Sequence, residues 1–66
     1  MTRLDFLRRE RGWSQNALAL ALGWDQSSVS RLCNGYPRVP EHVRGKLEQI
    51  FHEPVKRLVE EVEIQP

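Results

Sequence analysis

The chain has 66 residues, of which 39% are hydrophobic and 29% charged, and its formal net charge at pH 7 is +1. This length limits it to one small domain with a small core, and the composition is ordinary for a globular protein. The absence of a long apolar run and of a secretory signal pattern argues against a membrane span and against export. A single cysteine, Cys33, excludes an internal disulfide, so we expect a cytoplasmic protein.

The charge is divided unevenly along the chain. Residues 1–46 contain eight basic and four acidic side chains, a net charge of +4, whereas residues 47–66 contain two basic and five acidic ones, a net charge of −3. Such a division suits a molecule that contacts phosphates with one face and turns the other end to solvent or a partner. Chance clustering on a solvated surface is the alternative.

The first predicted helix runs from Arg3 to about Arg11. Thr2 is a favourable N-cap, and Asp5 stands at the third helical position, close to the pattern of a capping box. Gly12 is expected to end the helix.

Two short helices follow, with a tight turn between them. Ser14 is the expected N-cap of the second helix, and Gly23 is expected to stop it with a left-handed backbone. Asp25 is expected to cap a third helix that runs to about Cys33, and Asn34-Gly35 then breaks the chain.

A fourth and a fifth helix are predicted from apolar spacing. Pro40 is expected at the first position of the fourth, and Gly45 is a weak point in its middle. Pro54 begins the fifth, which is predicted to reach about Val62 because apolar residues recur at helical spacing. These residues are Val55, Leu58, Val59 and Val62. The lack of any alternating strand pattern makes the expected fold class all-α.

The second and third helices carry a more specific pattern than two helices in succession. Counting from Gln15, the fifth residue is Ala19 and the ninth is Gly23. A small side chain lets the helices cross closely, and glycine adopts the left-handed turn without steric cost. The apolar positions expected to fasten the pair to the core are Leu18, Leu22, Val29 and Leu32.

Residues 7–35 resemble the helix-turn-helix of the lambda-repressor and Cro family, also called the XRE family. The resemblance rests on Arg8, Ser14-Gln15, Leu18-Ala19, Gly23, Gln26-Ser27, Val29, Leu32 and Asn34-Gly35. It implies a compact five-helix DNA-binding domain over residues 1–66, with the helix-turn-helix at about residues 14–33. Helices 4 and 5, at about residues 40–62, would complete the core and provide a possible dimerisation surface.

The resemblance also implies roles for individual side chains. The third helix would enter the major groove and contact bases through Gln26, Ser27, Ser30 and Arg31. Phosphates would be held by Ser14, Gln15, Asn34 and Arg38, together with the amides that open the second and fourth helices. The roles of two residues stay open. For Arg31 the alternatives are a base contact, a phosphate contact and a surface ion pair. For Trp24 they are a hydrophobic staple with Val29 and stacking on sugar-phosphate.

Cys33 departs from the family pattern. Many relatives carry an acidic residue just before Asn34-Gly35, where it pairs with the arginine of the first helix. With Cys33 in that position, Arg8 must turn to the neighbourhood of Glu10, to a backbone carbonyl or to a phosphate.

Neither catalysis nor metal binding is supported by the pattern. No Ser, His and Asp combination and no glycine-rich phosphate loop is placed for chemistry, so we do not expect an enzyme. The scattered positions of Cys33, His42 and His52 lack the spacing of a zinc site. We therefore expect neither a metal nor a cofactor.

The sequence thus predicts a small bacterial or phage transcriptional regulator that acts as a repressor and is associated with the nucleoid. It would bind double-stranded DNA at a palindromic operator as a homodimer. The candidate dimer surface is the apolar face of the fifth helix with the residue beyond it, namely Val55, Leu58, Val59, Val62 and Ile64. Closure of the core by these side chains is the alternative. The rival function is a protein-binding module, such as an antitoxin or antirepressor with the same fold, which the acidic end of the chain would suit.

Overall fold

The computed structural model describes residues 1–63, which form five α-helices and one isolated antiparallel bridge. The helices are α1 (Arg3–Glu10), α2 (Gln15–Leu22), α3 (Gln26–Cys33), α4 (Glu41–Phe51) and α5 (Val55–Leu58). The expected all-α fold is confirmed. Within the described residues, no helix combines the length and apolarity that a membrane crossing needs.

Side-chain caps start the first three helices where the sequence predicted them. Thr2, Ser14 and Asp25 have extended backbones, and each side chain accepts a hydrogen bond from the backbone N–H three residues further on. Gly23 ends α2 in the left-handed conformation, with φ of 65°. Since an L side chain is strained in that conformation, glycine at this position allows the tight turn into α3.

The fourth helix begins one residue later than predicted. Pro40 is its N-cap, with φ of −64° and ψ of 157°, and Glu41 is the first helical residue. Phe51 is the last helical residue. His52 follows it as the C-cap and adopts a left-handed φ of 58°, although it is not a glycine.

The core lies where the five helices meet. α2 packs on α3 and α4, and α5 packs on α1 and α4. The innermost side chains have no exposed surface, and they are Leu4, Leu18, Leu22, Val29, Leu32, Val43, Leu47 and Leu58. Ala19 is only 3% exposed, as a small residue in a close helix pair should be.

The prediction that the fifth helix reaches Val62 is wrong. α5 ends at Leu58, and residues 60–62 run antiparallel to the first residues of the chain. Arg3 N donates to Glu60 O at 2.8 Å, and Val62 N donates to Met1 O at 2.9 Å. The helical spacing of the valines therefore does not determine the backbone conformation of residues 60–62, because their backbone groups form hydrogen bonds with residues 1–3 instead of within a helix.

Two residues of the candidate dimer surface belong to the core of the single chain. Val55 is 2% exposed and Leu58 has no exposed surface. In the single chain these two side chains close the core, as the alternative had it, and they offer little surface to a second copy. Val59 and Val62 are partly exposed, and Ile64 lies outside the described residues.

Candidate nucleic-acid interface

The starts of α2 and α3 meet at an open depression in the surface. It is lined by Gln15, Gln26, Ser27 and Ser30. The Ser14 cap fixes the first turn of α2, and the Asp25 cap fixes the first turn of α3. The fold thus brings three of the predicted base-contacting residues together with Gln15, a predicted phosphate ligand.

The outer side of α3 is polar because its apolar residues point inward. Val29, Leu32 and Cys33 are buried. Ser27, Arg31 and Asn34 follow one another at helical spacing on the opposite side and are exposed. α3 therefore presents a continuous row of polar side chains, which the core holds at a fixed angle.

The candidate base-reading side chains have no partners inside the described part of the molecule. Within residues 1–63, no side-chain hydrogen bond or ion pair engages Gln26, Ser27, Ser30 or Arg31. Their donors and acceptors are thus available to an external ligand. Ser14 differs, since its hydroxyl accepts from Ala17 N at 3.0 Å, although its own proton remains free to donate.

The basic residues fall into a paired group and an unpaired group. Arg3, Arg8, Arg9 and Arg57 form ion pairs with carboxylates. Arg11 instead lies over the rings of Trp13 and Phe51, at 5.8 and 4.8 Å from their centroids. The described residues include no ion pair to the basic side chains between α3 and the middle of α4, which are Arg31, Arg38, Arg44 and Lys46. Lys56 on α5 has no ion pair either. Most of the positive charge that is left to attract phosphates therefore lies between α3 and the middle of α4.

One acidic side chain lies at the edge of the candidate interface. The Asp25 carboxylate accepts hydrogen bonds from Ser28 N and Ser28 Oγ, both at 2.8 Å. These bonds lower the pKa of Asp25 below its ordinary value. The first turn of α3 consequently carries a fixed negative charge next to Gln26.

Arg38 and Arg44 line a shallow surface together with Pro37, Val39 and Pro40. Pro40 provides no side-chain cap for α4, so the first two amides of that helix stay open to an anion. Arg38 and Asn34, which the resemblance assigns to phosphates, are both exposed. Arg44 was not among the predicted site residues, and its position one turn inside α4 is the signal that would have identified it.

Arg8 finds its partner within its own helix. Its Nε and Nη2 donate to Asp5 Oδ1 at 3.0 and 2.6 Å, and its Nη1 donates to the carbonyl oxygen of Trp13 at 2.5 Å. The carbonyl was one of the partners left open by the sequence, whereas the three-residue spacing from Asp5 was overlooked. Arg8 therefore braces the entry to α2 from inside the protein.

Cys33 lies beside this buried pair. Burial raises the pKa of its thiol, and the nearby charge of Asp5 raises it further. The thiol is consequently neutral at physiological pH. Among residues 1–63, no group of three or more His, Cys, Asp or Glu side chains is arranged to hold a metal ion.

A family model described as a helix-turn-helix domain matches residues 2–50 of the chain. The match begins at the cap of α1 and ends in the last turn of α4, so it contains α2, α3 and the turn between them. Comparison with curated proteins and with solved structures gave no match.

Proposed function

Because the chain belongs to the helix-turn-helix domain family, whose motif is built for DNA binding, we propose that it binds double-stranded DNA sequence-specifically as a small transcriptional regulator. The proposal includes the XRE and Cro type of regulator, action as a repressor, and a place on the nucleoid of a bacterial or phage-infected cell.

The observation that carries the proposal is that four polar side chains of α3 have no internal partner within residues 1–63, namely Gln26, Ser27, Ser30 and Arg31. In the major groove, the Gln26 amide pairs with the N6 and N7 positions of adenine, and the hydroxyls of Ser27 and Ser30 bond to several base edges. Arg31 lies further along the same row, within reach of a guanine edge or of a phosphate. The Asp25 carboxylate disfavours close approach of a phosphate to the start of α3.

Phosphate contacts would supply most of the affinity. The first turn of α2, with Ser14 and Gln15, lies on one side of the polar row. Asn34 and Arg38 lie beyond the end of α3, and the open amides of α4 with Arg44 extend this side. Groups on both sides of a helix in the major groove fix its orientation between the two strands.

Selection of binding sites from a randomised duplex pool tests the proposal. We expect the purified protein to enrich one sequence at low salt and to lose affinity steeply as salt rises. Gln26→Ala should change the preferred base at one position of the selected site. The matched control is Gln49→Ala, which removes an exposed amide from α4 and should leave the selected sequence unchanged.

The selected sequence also tests the homodimer. One helix-turn-helix covers one half-site, and a two-fold dimer places two of them about 34 Å apart along the DNA. Enrichment of a palindrome with that spacing would support a dimer, and enrichment of a single half-site would contradict it. A folded protein that enriches no sequence at low salt would contradict DNA binding itself and favour the protein-binding module.

A further inference from the structure

A second pocket lies on the flank of α3 that faces away from Gln15. It is lined by Trp24, Ser28, Arg31, Tyr36 and Arg38, and its volume is about 140 Å³. A space of this size holds a single five- or six-membered ring. Two of the lining residues, Ser28 and Tyr36, have no part in the DNA contacts proposed above, and the role of Trp24 was left open.

The chemistry of the lining combines aromatic surface with positive charge. Trp24 packs partly against the core, which holds its indole in place, while Tyr36 is 64% exposed. Tyrosine and tryptophan in such positions are typical of binding surfaces, because their rings add apolar contact at a small cost in conformational entropy. Arg31 and Arg38 border the rings and form no ion pair within residues 1–63, although the charge of Arg31 is near enough to act on the Asp25 carboxylate.

We propose that this aromatic pocket takes one deoxyribose of the DNA strand alongside α3, with Arg31 and Arg38 on the phosphates next to that sugar. The inference rests on the proposed function, since it needs α3 to lie in the groove. A deoxyribose offers a ring of the right size with an apolar face, and each sugar in a strand lies between two phosphates. Gln15 and the aromatic pocket then contact the DNA on opposite sides of α3.

This arrangement gives roles to two side chains that the sequence left open. Trp24 packs on the core with one part of its ring and contacts the sugar with the rest. Arg31 holds a phosphate and does not read a guanine. Base discrimination is then left to Gln26, Ser27 and Ser30 at the start of the helix.

The salt dependence of DNA affinity separates these roles. Tyr36→Ala should weaken binding to the selected duplex about fivefold at every salt concentration. The slope of log affinity against log salt should not change, because tyrosine carries no charge. Tyr36→Phe keeps the ring and should bind like the unaltered protein. Arg31→Ala and Arg38→Ala should each reduce the slope by about one and leave the selected sequence unchanged.

Leu20→Ala is the matched control for loss of an exposed apolar side chain, since Leu20 is 76% exposed on α2 and lies outside the pocket. Its affinity should equal that of the unaltered protein. Unchanged affinity of Tyr36→Ala, or an altered base preference of Arg31→Ala, would overturn the inference. The proposed function would survive either result as long as Gln26→Ala still changes the selected sequence. If the unaltered protein enriched no sequence, the proposed function would fail, and the inference would fail with it.

Discussion

Arg8 and Asp5 form an ion pair that is almost fully withdrawn from water, with 9% and 7% of the two residues exposed. An arginine cannot lose its charge inside a protein, so it depends on the partner that remains beside it. The carbonyl oxygen of Trp13 completes the set of acceptors around the guanidinium. The net contribution of such a buried pair to stability is small, but removal of one partner is strongly destabilising because it leaves the other charge buried alone.

Removal of the Asp5 carboxylate should destabilise the protein strongly. Asp5→Ala leaves the Arg8 charge buried without its counter-ion, and we expect a loss of about 3–5 kcal/mol in the free energy of unfolding. A small domain has little more than this in total, so the variant should be only marginally stable near room temperature. Thermal unfolding followed by circular dichroism measures the effect.

A second substitution tests whether the missing charge alone is responsible. Cys33 lies close enough to Arg8 and Asp5 for both charges to act on its thiol. The double variant Asp5→Ala with Cys33→Asp should therefore recover part of the lost stability, measured against Cys33→Asp alone. A double variant no more stable than Asp5→Ala would contradict this account of Arg8.

The helices differ in how their ends are determined. Thr2, Ser14 and Asp25 cap through short local hydrogen bonds, so the starts of α1, α2 and α3 could be predicted from the sequence. The end of α5 depends on residues at the other end of the chain, and no local pattern contains that information. The apolar spacing up to Val62 predicted a helix for this reason, and the bridge to Thr2 was missed.

The candidate site likewise has a part that local sequence predicts and a part that depends on tertiary packing. Helix periodicity alone predicts that Ser27 and Arg31 lie on the outer side of α3, because Val29 and Leu32 must point to the core. The aromatic pocket could not be predicted in this way. It joins the turn before α3 to the loop after it, and the conformation of that loop is set by packing and not by a repeating pattern.

Replacement of two glycines by alanine should change the stability of the protein in opposite directions. Gly45 lies in the middle of α4, where an added methyl group meets no atom within 4 Å, so Gly45→Ala should stabilise the protein by about 1 kcal/mol. Gly23 has φ of 65°, so Gly23→Ala should destabilise it by about 1–2 kcal/mol. Chemical denaturation of both variants under the same conditions measures the two changes. A gain in stability from both substitutions would show that the turn after α2 does not require glycine.

At the scale of the whole molecule, the acidic residues neutralise one part of the surface and leave another positive. Glu53 pairs with Arg3 at 2.6 Å, and Glu60 pairs with Arg57 at 3.2 Å. Residues 31–46 contain four basic side chains and a single acidic one, Glu41, and so keep a net charge of +3. The excess positive charge therefore lies on α3, the loop and α4, where the proposed phosphate contacts are found.

The pair of Arg3 and Glu53 joins the start of α1 to the segment between α4 and α5, and it makes stability depend on pH. The hydrogen bond from Arg3 holds the pKa of the Glu53 carboxyl below its ordinary value. The folded protein thus binds this proton less readily than the unfolded chain. The stabilisation is complete above the ordinary glutamate pKa of about 4.3 and is lost as the pH falls through the lower folded value.

Glu53→Gln isolates this contribution. The unaltered protein should be modestly more stable than the variant at neutral pH, because 34% of the Arg3 side chain and 19% of the Glu53 side chain are exposed. The difference between the two proteins should shrink as the pH falls below the ordinary glutamate pKa and through the lower pKa of the folded Glu53 carboxyl. Asp25 titrates in both proteins and cancels in the comparison. Denaturant unfolding at a series of pH values measures the difference, and a difference that does not vary with pH would contradict the role of Glu53.

The bridge between Thr2 and Glu61 also bears on the order in which the fold assembles. The contacts between α2 and α3 close a turn of three residues, whereas the bridge closes nearly the whole described chain. Loop closure over a long separation is entropically less favourable and slower, so we expect α2 and α3 to pair first and the bridge to form last. The helix pair that carries the candidate interface should thus be formed before the two ends of the chain come together to secure α1.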